Sequence, residues 1–229
     1  APRGNFQCKD GRWVHQWPLK PLTVIQAAEH DSLDDAPAPQ FDKRRTDPNR
    51  IGMAGALNHT SLIGIHPDET LLPELLKARG YATAHFGKWH LGTRPKFYPT
   101  RHGFDTWAGL PYSNDNGPLH PTIRGIPLLP FIVNDTVVET DPDQAMFTRR
   151  LTDLATAFIR EKKSRPFFLY LPHIMPHVPI FASEKFKKSS KNGLYADVVE
   201  ELDAAIGEVM KAIAAAGIDR NTMVVFLSD

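Results

Sequence analysis

The run Phe167-Phe168-Leu169-Tyr170-Leu171 constrains this chain most. Successive side chains on a strand point to opposite faces, so an unbroken apolar run has to be covered on both sides. That is the position of an interior strand in a parallel sheet with helices above and below it. The neighbouring stretches agree. Phe147, Leu151, Leu154, Phe158 and Ile159 recur at helical spacing between Met146 and Lys162, and Arg165-Pro166 stops the pattern. From Tyr195 to Ala216 a second long helix is predicted, with Val198, Leu202, Ala205, Ile206, Val209 and Ile213 facing the core and Gly217 at its end. Its early acidic residues Asp197, Glu200, Glu201 and Asp203 suit the helix dipole.

Thr222 to Leu227 then returns as a strand. Earlier, Leu71, Leu72, Leu75 and Leu76 form the buried stripe of a short helix, capped by Asp68 or Thr70, with Pro73 in its first turn and Gly80 at its end. Tyr81 to Phe86 follows as a strand. Helix and strand thus alternate three times, which predicts an α/β fold with a mostly parallel central sheet, flanking helices and right-handed crossovers. Phe131 to Glu139 reads as a hairpin turning at Asn134-Asp135.

Before Thr46 the chain is polar and irregular, apart from a short helix expected over Thr23 to Glu29. The division is therefore 1–46, an irregular segment of uncertain frame, and 47–229, a partial α/β domain. The chain stops at Ser228-Asp229 directly after a strand, as a piece of a longer domain would. Its net charge of +1 gives no bulk attraction to nucleic acid or an anionic membrane, and no apolar run is long enough to span a bilayer. The single cysteine, Cys8, excludes an intrachain disulfide and leaves the compartment open.

Candidate chemistry collects where strands end. After the first strand come Gly87-Lys88-Trp89-His90-Leu91-Gly92. On an extended chain Lys88 and His90 share one face, and an ammonium beside an imidazole suits an anion. The plainer alternative is a solvated lysine next to a histidine that ends a strand. After Leu171 come Pro172-His173-Ile174-Met175-Pro176-His177-Val178-Pro179, two histidines in a stiff loop at the carboxyl end of an interior strand, where open α/β sheets place ligand groups. Asp229 ends the last strand. In the long connection from Thr93 to Pro130, Gly109-Leu110-Pro111-Tyr112-Ser113-Asn114-Asp115 stands out; read alone, Ser113-Asn114-Asp115 is a turn. Two imidazoles, an ammonium and a carboxylate on one sheet edge suit a tetrahedral oxyanion beside a metal ion. Asp34-Asp35 could be a metal pair or simply solvated carboxylates. Asn58-His59-Thr60 and Asn134-Asp135-Thr136 fit the glycosylation pattern, which is common by chance.

The stretch from Leu71 to Gly92, with Arg101-His102-Gly103-Phe104-Asp105 and the segment ending at Asp115, resembles the sulfatases. The likeness is to the arylsulfatase A and N-acetylgalactosamine-6-sulfatase group, of alkaline-phosphatase-like fold, and runs from about Asp47 to the last residue. The resemblance implies hydrolysis of sulfate monoesters by a formylglycine nucleophile and a calcium ion. It implies that His90 helps deprotonate the formylglycine hydrate, that Lys88 and His177 bind the sulfate and assist the leaving group, and that Ser113 donates a hydrogen bond to it. It places Asp229 in the calcium site and gives His173 no counterpart. A formylglycine-generating enzyme is the implied partner, and a lysosomal, secreted or periplasmic setting the implied location.

The chain departs from the family pattern ahead of Asp47-Pro48-Asn49-Arg50-Ile51-Gly52-Met53. Where Cys-x-Pro-x-Arg is expected stands Asp35-Ala36-Pro37-Ala38-Pro39, and an aspartate cannot become formylglycine. Cys8-Lys9-Asp10-Gly11-Arg12 keeps the cysteine and arginine without the proline, far from Lys88. A shifted reading frame over Gln40 to Arg45 gives residues closer to the family's. A single carboxylate, Asp229, falls short of calcium's usual six to eight or so oxygens. The chain as written is thus expected to be inactive. The alternatives are a degenerate, non-catalytic remnant, or a phosphatase or phosphodiesterase of the same superfamily, against which the lack of an Asp-x-x-x-His zinc pair counts.

Overall fold

The computed structural model describes the backbone of Phe6–Lys9, Arg12–His15, Leu22–Ala27 and Ser228, together with Met53 and residues 55–227. Its strands are β1 (Phe6–Lys9), β2 (Arg12–His15), β3 (Leu22–Ala27), β4 (Ala82–Lys88), β5 (Thr106–Leu110), β6 (Pro130–Val133), β7 (Thr136–Thr140), β8 (Phe167–Pro172) and β9 (Met223–Ser228). The α-helices are α1 (Leu72–Lys77), α2 (Phe147–Lys162) and α3 (Leu194–Ala215). β1 and β2 pair as a separate antiparallel hairpin.

The remaining strands form one sheet in the order β7-β6-β5-β4-β8-β3-β9. From β5 to β9 all neighbours are parallel, and β6 and β7 add an antiparallel edge. The apolar run behaves as its pattern requires. Phe167, Leu169 and Leu171 pack with Leu151, Ile159, Val198 and Val209 of α2 and α3 on one face. Phe168 and Tyr170 join Trp89, Trp107 and Phe104 on the other.

Three local expectations change. Thr23 to Glu29 is not a helix: Leu22–Ala27 is a strand between β8 and β9, in parallel register with both. A stretch this short carries a weak helical signal, and the β-branched run Thr23-Val24-Ile25 together with the slot between two apolar strands outweighs it. α1 is capped by neither Asp68 nor Thr70; its first turn is closed by Glu74, whose Oε2 accepts the Leu71 N–H at 2.6 Å. Leu72 and Leu75 are each 48% exposed, and Pro73, Leu71 and Leu76 bury the helix instead. The hairpin at Asn134-Asp135 forms, with Asn134 at φ 54° and its Oδ1 accepting the Trp107 N–H at 2.9 Å.

Two glycines let the parallel strands close up at their carboxyl ends. Gly87 has φ 138°, and a Cβ there would lie 1.7 Å from the Pro172 carbonyl oxygen. Gly109, paired with it across β4 and β5, has φ 158°, and its Cβ would lie 1.8 Å from the Gly87 oxygen. Both obstacles are backbone, which cannot swing aside.

Two imidazoles are sealed in the core. His85 is enclosed edge-on by Tyr170, Phe104, Trp89 and Trp107, with ring centroids 5.2 to 6.4 Å away. Burial holds its pKa down to about 3, and burial holds that of His173 to about 4. Asp197 and Glu201, both buried, accept the backbone N–H groups of Lys188, Ser190 and Ser183 at 2.8 Å and so pin the segment ahead of α3.

Gly87→Ala is expected to cost at least about 3 kcal/mol, because the overlap is with main chain, whereas Gly207→Ala in α3, where a Cβ meets nothing within 4 Å, stabilises by roughly 0.5–1 kcal/mol. Urea unfolding of both variants checks the pair, and a tolerated Gly87→Ala contradicts the close approach. Above pH 6.5 neither the folded nor the unfolded chain protonates these histidines, so they add no pH dependence. Below it the unfolded chain binds two protons that the folded chain refuses until about pH 4 and 3. Stability therefore falls as pH drops through that window, by up to about 1.4 kcal/mol per pH unit for each histidine. Unfolding midpoints at pH 7, 6 and 5 follow this, and a flat profile would refute it.

Candidate functional site

The carboxyl ends of β4, β5 and β8 lie on one edge of the sheet because the strands are parallel. This edge receives Lys88 and His90 from β4, Ser113 from the loop after β5, and His177 from the loop after β8. Asp229, Asp34, Asp35 and the segment 47–52 lie outside the described residues, as does the Cys8 side chain; the Cys8 backbone belongs to the β1–β2 hairpin.

The backbone after Lys88 differs from a simple extension of β4. His90 sits at φ 59°, so the two-residue spacing does not put Lys88 and His90 on one strand face. The Trp89 N–H donates to Leu110 O and the His90 N–H to Pro111 O, which ties this turn to the end of β5. The Trp89 indole N–H donates to Phe97 O at 2.7 Å, burying the ring between the two polar residues. His90 Nε2 faces Leu57 O at 2.9 Å, and since a carbonyl only accepts, that nitrogen carries a proton. Lys88 remains half-buried.

The loops after β5 and β8 are clamped together. Fully buried Asn114 donates from Nδ2 to Gln144 Oε1 and to Pro179 O, both at 2.9 Å. Its neighbours Ser113 and Asp115 are thereby held against the loop that carries His177. His177 Nδ1 lies 2.6 Å from Val178 O and is a donor by the same reasoning. The peptide bonds before Pro176 and Pro179 are cis.

A cavity of about 350 Å³ opens here, walled by Leu57, Asn58, His59, Ser113, Asp115, Asn116, His120, His177 and Val178 among others. Ser113 and His177 thus share a wall. Lys88 and His90 do not line this cavity, although His90 holds Leu57, which does. His173 is fully buried, and neither ring nitrogen has a hydrogen-bond partner among the described residues. The Ser113 hydroxyl, expected to donate to a sulfate, donates to Asp115 Oδ1 at 2.5 Å. The nearby carboxylate is a stronger acceptor than a neutral oxygen.

Sequence reasoning missed four of the wall residues. His59 was visible only within a glycosylation triplet, and its Nδ1 lies 3.4 Å from Asn116 Oδ1. Asp115 stood in the quoted segment without a role. Asn116 and His120 carry no local signal, because what brings them in is the fold of the 113–120 loop over the strand ends.

No group of three or more His, Cys, Asp or Glu side chains among the described residues is placed to hold a metal ion. These residues therefore do not by themselves fit a calcium site.

Residues 44–229 match the family model described as Sulfatase. The chain is 38% identical over 174 residues to N-acetylgalactosamine-6-sulfatase of Mus musculus, covering 72% of this chain and 34% of that protein. It is 35% identical over 202 residues to arylsulfatase A of Bos taurus, covering 80% of this chain and 39% of that protein. The crystal structure of the PsFucS1 sulfatase from Pseudoalteromonas sp. superposes with a TM-score of 0.71 at 19% identity, over 93% of this chain and 55% of that one, which bears on fold alone. The chain spans about a third of the length of these curated relatives. Calcium binding is typical of the matched family. With the family model covering most of its length and relatives above a third identical, the chain belongs to the sulfatase family, hydrolases of sulfate esters.

Proposed function

We propose that this chain carries the sulfate-binding edge of a sulfatase acting on sulfate monoesters, with sulfated glycans as the class that the relatives' names favour. The observation behind this is the delivery of Lys88, His90, Ser113 and His177 to one sheet edge by parallel strands. In this reading the partial catalytic domain runs from Asp47 to Asp229, and Leu22–Ala27 lends it a strand.

Each residue has a distinct task. The Lys88 ammonium offsets charge on the sulfate and on the leaving oxygen, where a fixed cation lowers the barrier most. His177, oriented by its Nδ1–H on Val178 O, approaches the ester oxygen from the β8 side. His90, held by Leu57 O, would help deprotonate the family's formylglycine hydrate. Ser113 contributes its oxygen to the cavity wall. Formylglycine supplies the nucleophile in this family, installed by a formylglycine-generating enzyme, and calcium supplies charge stabilisation. Asp229 is the calcium ligand that this chain would offer.

Asp35 stands where the nucleophile precursor belongs, so the chain as written binds the ester without turning it over. The purified chain, co-expressed with a formylglycine-generating enzyme and assayed with calcium, is therefore expected to leave 4-nitrocatechol sulfate intact. Turnover that disappears in Cys8→Ser would overturn this and assign the nucleophile to the β1 strand. Turnover of an aryl phosphate without aryl sulfate would move the reading to the phosphatases.

A further inference from the structure

We propose that Asp115 and His120 are specificity-determining residues that read a hydroxyl group of the sulfated substrate. The inference rests on the sulfate-ester reading of the same edge and adds what lies beyond the ester oxygen.

The hydrogen bonds of the 113–120 loop leave one arrangement open. Asp115 Oδ1 is saturated: it accepts the Ser113 hydroxyl at 2.5 Å and Asn116 Nδ2 at 3.1 Å. Asn116 Nδ2 also donates to Ser113 Oγ at 3.4 Å, while the serine proton is already given to Asp115 Oδ1. His120 Nδ1 accepts two backbone N–H groups, from Thr122 at 3.1 Å and Ile123 at 2.9 Å. An imidazole nitrogen that accepts cannot also carry the proton, so the proton sits on Nε2. Nε2 lies 4.0 Å from Asp115 Oδ2, too long for a hydrogen bond.

That gap has the dimensions of a bridging oxygen. An atom placed about 2.8 Å from both Oδ2 and Nε2 sees them roughly 90° apart, within the range of a hydroxyl that donates to one partner and accepts from the other. The site thus asks for a group that is donor and acceptor at once. A sugar hydroxyl is such a group. A sulfate oxygen accepts only, and it would face the Asp115 carboxylate. Both side chains are mostly buried, with 23% and 18% exposed, so the bridge forms away from bulk water, where it discriminates best. Asp115, His120, Ser113 and His177 all line the same cavity, which places the hydroxyl site beside the proposed ester site.

The test uses the full chain and four probes followed by calorimetry: methyl sulfate, galactose 6-sulfate, its deoxy analogues and galactose. We expect galactose 6-sulfate to bind about tenfold tighter than methyl sulfate, as one charge-assisted hydrogen bond of some 1.4 kcal/mol would give. Removal of one particular hydroxyl from the sugar, or Asp115→Asn in the protein, should abolish that gain; the ligand series needs no variant and so survives a folding failure. Equal binding of methyl sulfate and the sugar sulfate, or a gain that persists in every deoxy analogue, would overturn the hydroxyl site while leaving the sulfate reading intact. Binding of galactose, lost in Asp115→Asn, with no binding of methyl sulfate would support the hydroxyl site and remove the sulfate reading on which it was built.

Discussion

Everything at the carboxyl edge depends on one close approach, where Gly87 of β4 meets the Pro172 carbonyl of β8. No residue with a side chain fits at 1.7 Å from a main-chain oxygen. The contact brings the ends of β4 and β8 together, and Gly109 continues the same packing into β5. Three loops therefore leave the sheet within a small area. Parallel strands guarantee a common edge; the glycines make that edge narrow enough for loops from different strands to share a cavity.

The polar chemistry then follows from how the loops are held. Asn114 spends both amide hydrogens on tethering the β5 loop to Gln144 and to the carbonyl of Pro179. Carbonyl partners fix which nitrogen is protonated on His90 and on His177. The loop from Ser113 to His120 orders its own donors and acceptors around Asp115. A site assembled in this way presents a definite pattern of donors and acceptors before any ligand arrives, which is what makes positioned groups effective.

The sheet was largely legible in the sequence wherever burial was two-sided or periodic. Phe167 to Leu171, the stripe of α2 and the stripe of α3 each answer to one strong period, and each appears with its bounds shifted by little more than a residue. β3 was read as a helix because six residues are too few to show a period, although Thr23-Val24-Ile25 is a β-branched run that favours a strand and pairs with both β8 and β9. α1 misled for the opposite reason: four leucines suggest a wide buried stripe, but a helix of six residues has contact area for only part of it. At the candidate site, Ser113 and His177 line the cavity and Lys88 and His90 do not; all four were singled out by spacing and resemblance. His59, Asn116 and His120 were not, since their place depends on the path of loops that no local pattern encodes.

The central claim is that the edge shared by β4, β5 and β8 binds a sulfate ester. Mapping backbone and imidazole NMR shifts during a methyl sulfate titration tests it most directly. The account predicts saturable shifts at Lys88, Ser113 and His177, with residues at the opposite edge, such as Lys77 and Asp105, unmoved. Shifts confined to that opposite edge, or none at all up to millimolar ligand, would contradict it.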